Sequence, residues 1–149
     1  MCWYLYLATK EPLKDVLFAG TLSPETPPPP LYFEKVTEPE DVGMNYKPLF
    51  KGQNLYYLGS DTGCGCGFNY NPGEWPDEEK DAYSESPAAL VAFIKSYTTE
   101  HGELEMYAIW EDDHGREPVK NVLIDVENMN DETYLMIKSR HFYQFSANI

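Results

Sequence analysis

The segment Ser86–Glu111, SPAALVAFIKSYTTEHGELEMYAIWE, carries the two clearest secondary-structure patterns in this chain. Its first part predicts an amphipathic α-helix over residues 87–100, because large apolar side chains recur on one helical face. The side chains of this face are Leu90, Phe93, Ile94 and Tyr97. Ser86 is suited to cap the helix with Pro87 at its first position, and Gly102 is suited to follow its end.

The second part of the segment, Glu103–Glu111, alternates apolar with more polar side chains. This alternation is typical of a half-buried strand, since successive side chains of a strand point to opposite faces. The turn-forming residues Asp112–Gly115 come next. They predict a hairpin that leads into a strand over Val119–Val126.

Elsewhere in the chain, short stretches rich in aromatic and β-branched residues predict the remaining strands. They are Cys2–Ala8, Leu31–Val36, Asn54–Gly59, Tyr134–Ile137 and Phe142–Phe145, and an acidic loop is expected over Thr37–Pro48. Strands on both sides of one good helix predict an α+β fold, in which a mainly antiparallel sheet packs against that helix. The 149 residues suit a single domain over 1–149, because no linker is long enough to divide them.

The charge of the chain restricts the partners that its surface would accept. It has 25 acidic and 11 basic residues, a formal net charge of −14 and a pI near 4.4. A field of this sign repels phosphate backbones and anionic membranes, so neither nucleic acid nor a membrane is an expected partner. It favours cationic partners and solubility. We therefore expect a non-enzymatic binding module, of inhibitor or immunity type, for a basic protein.

An acidic stretch that precedes the helix is the expected contact surface for such a partner. Aromatic anchors supply much of the binding energy at protein interfaces, and carboxylates around them steer a cationic partner. The predicted partner-binding residues are Trp75, Asp77, Glu78, Glu79 and Tyr83. The sequence makes no prediction of the oligomeric state.

The stretch Gly63–Gly67, GCGCG, is the least ordinary local motif. In the favoured interpretation its glycines adopt positive φ at a strand end while two small cysteines pack beneath them. Alternatively, cysteines at i and i+2 on an extended backbone point the same way and share a soft metal such as zinc. Cys64, Cys66 and His141 are the candidate ligands. A reactive thiol is a further alternative.

The cysteine count and the N-terminal sequence bear on compartment and activity. Three cysteines cannot all pair within one chain, and neither a signal peptide nor a stretch long enough to span a membrane is recognisable. We therefore expect reduced thiols and a cytoplasmic location. No hydrolase, phosphate-loop, dinucleotide, kinase or metalloprotease motif occurs, so the sequence predicts no catalytic residue.

Overall fold

The computed structural model describes residues 3–13, 31–60, 65–68, 80–129 and 137–147, with the side chains of the helix from residue 86 onward. Within these ranges the chain forms six strands, one α-helix and several short 3-10 helices. The strands are β1 Trp3–Thr9, β2 Leu31–Lys35, β3 Asn54–Ser60, β4 Glu103–Trp110, β5 Lys120–Asp125 and β6 His141–Ser146, and the helix α1 is Lys80–His101.

The strands form one sheet in the order β2-β3-β1-β4-β6-β5. Every neighbouring pair is antiparallel except β5 and β6, which are parallel. Helix α1 packs on one face of this sheet, where its apolar side chains join those of the central strands in one core. The predicted α+β fold, a mainly antiparallel sheet against one principal helix, is confirmed.

The predicted hairpin between β4 and β5 is wrong, because β6 lies between these two strands. β4 pairs with β6, and β5 then joins the outer side of β6 with Val122 opposite Tyr143. The turn after β4 reverses the chain as expected, but a turn does not determine which strand occupies the neighbouring position. Ile137 precedes β6 outside any strand, and the rest of the strand predicted before it, 134–136, lies outside the described residues.

Helix α1 begins at Lys80, so the predicted start with Ser86 as N-cap is wrong. Pro87 lies inside the helix, where it removes one intrahelical hydrogen bond, and its burial offsets part of that loss. The end agrees with the prediction, since Gly102 has a φ of 92° and its N–H donates to the carbonyl of Thr98 at 2.7 Å.

The predicted buried face of the helix is confirmed. Ile94 is 0% exposed and packs with the apolar side chains of the central strands. Leu90 and Tyr97 are also buried, and Phe93 packs at the margin of the same core. We call this side of the sheet the helix face.

The strand β4 is buried on both faces, which contradicts the half-buried strand expected from its alternation. Tyr107 and Ile109 point away from α1 and are 0% exposed. A 3-10 helix, Val42–Leu49, covers this second face where the sequence predicts only a loop. The carboxylate of Asp41 caps it by accepting a hydrogen bond from the N–H of Gly43 at 2.9 Å.

Tyrosines join this covering 3-10 helix to the sheet, and we call the side that carries Tyr6, Tyr46 and Tyr107 the tyrosine face. The ring of Tyr46 lies 5.1 Å from that of Tyr6 and 5.3 Å from that of Tyr107. The hydroxyl of Tyr46 accepts from the N–H of Gly115 at 2.7 Å, and the hydroxyl of Tyr107 donates to the carbonyl of Arg116 at 2.8 Å. Burial raises the pKa of Tyr107 to about 12 and also raises the pKa of Tyr6.

Candidate binding site at one end of the sheet

The strand register gathers several chemically distinctive residues at one end of the sheet. Trp3 at the start of β1 lies opposite Trp110 at the end of β4. His141 at the start of β6 lies opposite Ala108, two residues before Trp110. We call this end, with Trp3, Trp110 and the 3-10 helix Glu111–Asp113, the tryptophan end.

The two indoles form a preorganised aromatic pair. Their ring centroids are 5.0 Å apart at an interplanar angle of 64°, an edge-to-face arrangement. The indole Nε1 of Trp110 donates to a carboxylate oxygen of Asp112 at 3.3 Å. Both side chains are half-buried, so part of each ring surface stays accessible to solvent. The pair therefore presents aromatic surface in a defined orientation.

An acidic turn directly follows Trp110. Within Glu111–Asp113 the first two residues are exposed, and the third is anchored. The carboxylate of Asp113 accepts from Ser139 Oγ at 2.7 Å and lies 3.5 Å from the guanidinium of Arg116. Ser139 Oγ in turn accepts from the backbone N–H of Trp110 at 2.8 Å. These bonds fix the acidic turn to the start of β6, next to the indoles.

The described part of the glycine–cysteine motif packs at the same end of the sheet. It forms a 3-10 helix, Gly65–Phe68, in which Cys66 is half-buried. A Cβ added to Gly65 would lie 2.6 Å from Leu5 Cδ1 and 2.8 Å from the carbonyl oxygen of Trp3. Gly65 is therefore required for close packing. The expected positive φ is wrong for it, because the positive-φ glycines of the described residues lie elsewhere.

The predicted zinc ligands are only partly within the described residues. Cys64 lies outside them. Cys66 belongs to a 3-10 helix that contacts β1, β3 and α1, whereas His141 begins β6, with its Nδ1 3.0 Å from the carbonyl oxygen of Ser139. Among the described side chains, no three or more His, Cys, Asp or Glu residues are arranged to hold a metal ion. A zinc site that includes Cys64 stays a prediction.

The predicted partner-binding surface also stays a prediction. Trp75, Asp77, Glu78 and Glu79 lie outside the described residues, and of Tyr83 only the helical backbone lies within them. Sequence reasoning missed the pairing of Trp3 with Trp110, because that contact depends on the register of two strands far apart in the chain. The signal that could have pointed to it is a tryptophan directly before three acidic residues, WEDD.

In the parts of the chain that the structure describes, no helix is both long enough and apolar enough to cross a membrane. Comparison with protein-family models, with curated proteins and with solved structures finds no match for this chain. The case for a function therefore depends on the geometry and charge of the tryptophan end.

Proposed function

We propose that this protein is a cytoplasmic, non-enzymatic binding module, of inhibitor or immunity type, that engages a basic protein through its tryptophan end. One observation carries the proposal: an edge-to-face pair of half-buried indoles adjoins an exposed acidic turn in a chain of net charge −14. The contact surface predicted around Trp75 would add to this one.

The indoles would supply the binding energy. Tryptophan is enriched among the few interface residues that dominate affinity. The edge-to-face contact and the hydrogen bond from Trp110 to Asp112 already restrict both rings, so little side-chain entropy remains to be lost on binding.

The acidic turn would supply attraction for a basic side chain of the partner. A guanidinium that stacks on the face of Trp110 gains a cation–π interaction, and the carboxylates of Glu111 and Asp112 lie next in the chain. Arginine suits both contacts, because its planar group stacks on aromatic rings and pairs with carboxylates. The negative field of the whole chain would accelerate the encounter.

An arginine-rich probe tests this proposal directly. We expect a nona-arginine peptide to quench the tryptophan fluorescence of the protein, with an affinity that falls as salt rises from about 0.05 to about 0.5 M. Trp110→Ala should weaken binding by about tenfold or more, as expected for an aromatic anchor. Glu111→Gln with Asp112→Asn should mainly slow association.

The matched control removes the same amount of charge elsewhere. Glu38 and Glu40 are exposed and lie before the covering 3-10 helix, so Glu38→Gln with Glu40→Gln changes the net charge equally. If this control pair weakens binding as much as the pair at the acidic turn does, the attraction is general and the proposed site is refuted. An unchanged affinity in Trp110→Ala would also refute it.

A thiol site is the second candidate function. It is favoured by the position of Cys66, which is half-buried rather than fully buried, on a turn packed tightly against β1. A zinc ion or a reactive thiolate there would involve Cys64 as well. Elemental analysis with thiol titration separates the two functions: near-stoichiometric zinc in the purified protein that Cys66→Ser abolishes would establish the metal site.

A further inference from the structure

Strand β5 is an edge of the sheet that exposes a large apolar side chain. Among the described strands its only neighbour is β6, so the outer side of its backbone has no strand partner there. Leu123, near the middle of β5, is 66% exposed, and Val119 just before the strand is 60% exposed. An edge of this kind is a template for pairing with another strand.

The opposite edge, β2, lacks this property. Of its three apolar residues, Tyr32 and Phe33 are only 4% and 7% exposed and Leu31 is half-buried, because all three pack within this molecule. Its exposed positions are the charged Glu34 and Lys35, which discourage edge pairing. Of the two edges that the described strands form, β5 is the one that exposes the larger apolar side-chain surface to a new strand.

We propose that β5 pairs with β5 of a second copy of this chain, antiparallel and about a two-fold axis. The strand begins with Lys120, ends with Asp125, and is followed two residues later by the exposed Glu127. Antiparallel pairing brings the positively charged start of β5 in each copy close to the negatively charged end of β5 in the other, so the charges are complementary at both ends of the contact. A two-fold contact of this kind uses the same patch on both copies.

The alternation of the strand determines the register. A two-fold axis normal to the sheet keeps each residue on its own face, so directly opposed residues must be an even number of positions apart. Centring the contact on Leu123 sets this exposed side chain against its copy. It also sets Val122 opposite Ile124 of the second copy. Lys120 lies at the position opposite Val126, next in the chain to Glu127, where the strand has given way to the 3-10 helix Val126–Asn128.

The local charge favours a second copy over a basic peptide as the occupant. β5 contains one lysine and one aspartate, so this strand is neutral within a chain of net charge −14. Two such strands add no local repulsion at contact distance, and the strand itself offers a cationic peptide no excess of carboxylates.

Sedimentation of the whole chain from about 1 μM to about 1 mM tests the proposal. We expect a reversible dimer whose dissociation constant rises about tenfold or more in Leu123→Lys, since the substitution places two like charges in contact. Val42→Lys is the matched control, because Val42 is 50% exposed but begins the covering 3-10 helix rather than the edge. It should leave the dimer unchanged.

Charge reversal tests the antiparallel arrangement itself. Lys120→Glu and Glu127→Lys should each weaken the dimer, and the two substitutions together should restore it, because each end then meets its complement again. A monomer at every concentration would overturn the proposal, as would a dimer that Leu123→Lys leaves intact. If the protein stays monomeric and nona-arginine binds at this edge, the occupant of the edge is a basic peptide and not a second copy.

Discussion

The two faces of the sheet differ in their side chains, although hydroxyl-to-backbone hydrogen bonds occur on both, since Tyr56 and Tyr143 of the helix-face core bond to the backbone of Leu13 and Lys138. On the helix face, α1 contributes Leu90 and Ile94 to a largely aliphatic core, so the stabilisation comes mainly from removing apolar surface from water. On the tyrosine face, Tyr46 and Tyr107 bury their rings and also direct their hydroxyls to backbone groups of the β4–β5 connection. Apolar burial is not directional, whereas these bonds set the position of a loop.

This difference links the tyrosine face to the proposed site. The connection that the two hydroxyls hold, at Gly115 and Arg116, begins with the acidic turn beside Trp110. His114 in the same connection packs edge-on against Tyr4 at 5.2 Å. The hydroxyls of Tyr46 and Tyr107 therefore help to position the connection that carries the acidic turn, whereas Trp3 packs against the core of the helix face.

The largest effect is expected on the helix face. Ile94→Ala should lower the free energy of unfolding by about 2–5 kcal/mol, the usual cost of removing a large buried aliphatic side chain. Ile94 is 0% exposed at the centre of the helix contact. Urea denaturation measures the loss, and Ser96→Ala on the exposed side of α1 is the control. A loss within half a kcal/mol would mean that this face does not carry the stability.

A smaller effect is expected where β2 meets β3 on the tyrosine face. Gly59 lies opposite Tyr32, and an added Cβ would lie 1.9 Å from the Tyr32 ring, which covers the glycine. Gly59→Ala should therefore destabilise the fold by about 1–3 kcal/mol through overpacking. In the double variant with Tyr32→Ala, the total loss should be smaller than the sum of the two single losses, because the ring that clashes with the new Cβ is gone. Strictly additive losses in the double variant would contradict the proposed contact.

Two hydroxyl deletions compare the faces directly. Tyr46→Phe should cost about 0.5–1.5 kcal/mol and speed hydrogen exchange at the Gly115 amide, because that N–H loses its acceptor. On the helix face, the buried hydroxyl of Tyr97 has no hydrogen-bond partner within the described structure. Tyr97→Phe should thus be neutral or stabilising. Equal losses in both variants would show that the Tyr97 hydroxyl has a partner as strong as that of Tyr46.

Local sequence patterns predicted which side chains are buried on the helix face better than they did on the tyrosine face. The 3.6-residue spacing of Leu90, Ile94 and Tyr97 identified the buried side of α1, because that signal lies within one element. The burial of Tyr107 was not predictable in the same way. A tyrosine in a strand suits a half-exposed position equally well, and its cover comes from a segment whose composition resembles a loop.

The long-range arrangement was the least predictable. The insertion of β6 between β4 and β5 and the contact of Trp3 with Trp110 both depend on strand register across the whole sheet. Ser86 and Pro87 also led to a wrong helix start. Together they are a strong signal for the first turn of a helix, but α1 begins at Lys80 and contains both. The candidate site is therefore mostly a product of tertiary structure, and only its WEDD stretch is visible in the sequence.

The smallest expected effect is a dependence on alkaline pH that belongs to the tyrosine face. Burial raises the pKa of Tyr107 to about 12, above the value of about 10 for an unfolded tyrosine. The folded state thus holds this proton more tightly than the unfolded state does. Its contribution to stability is complete below about pH 10 and is lost as the pH rises towards about 12.

Urea denaturation midpoints measured between about pH 8 and pH 11 should therefore fall more steeply for the parent protein than for Tyr107→Phe, which has no hydroxyl to ionise at this position. The variant should start lower at pH 8, because it lacks the hydrogen bond to the Arg116 carbonyl, and the two curves should converge as the pH rises. Groups remote from this position titrate in both proteins and cancel in the difference, whereas Tyr46, whose charge acts on Tyr107, contributes to it. Parallel curves would show that Tyr107 ionises as readily in the folded state as in the unfolded state, and that the tyrosine face does not exclude water around its hydroxyl.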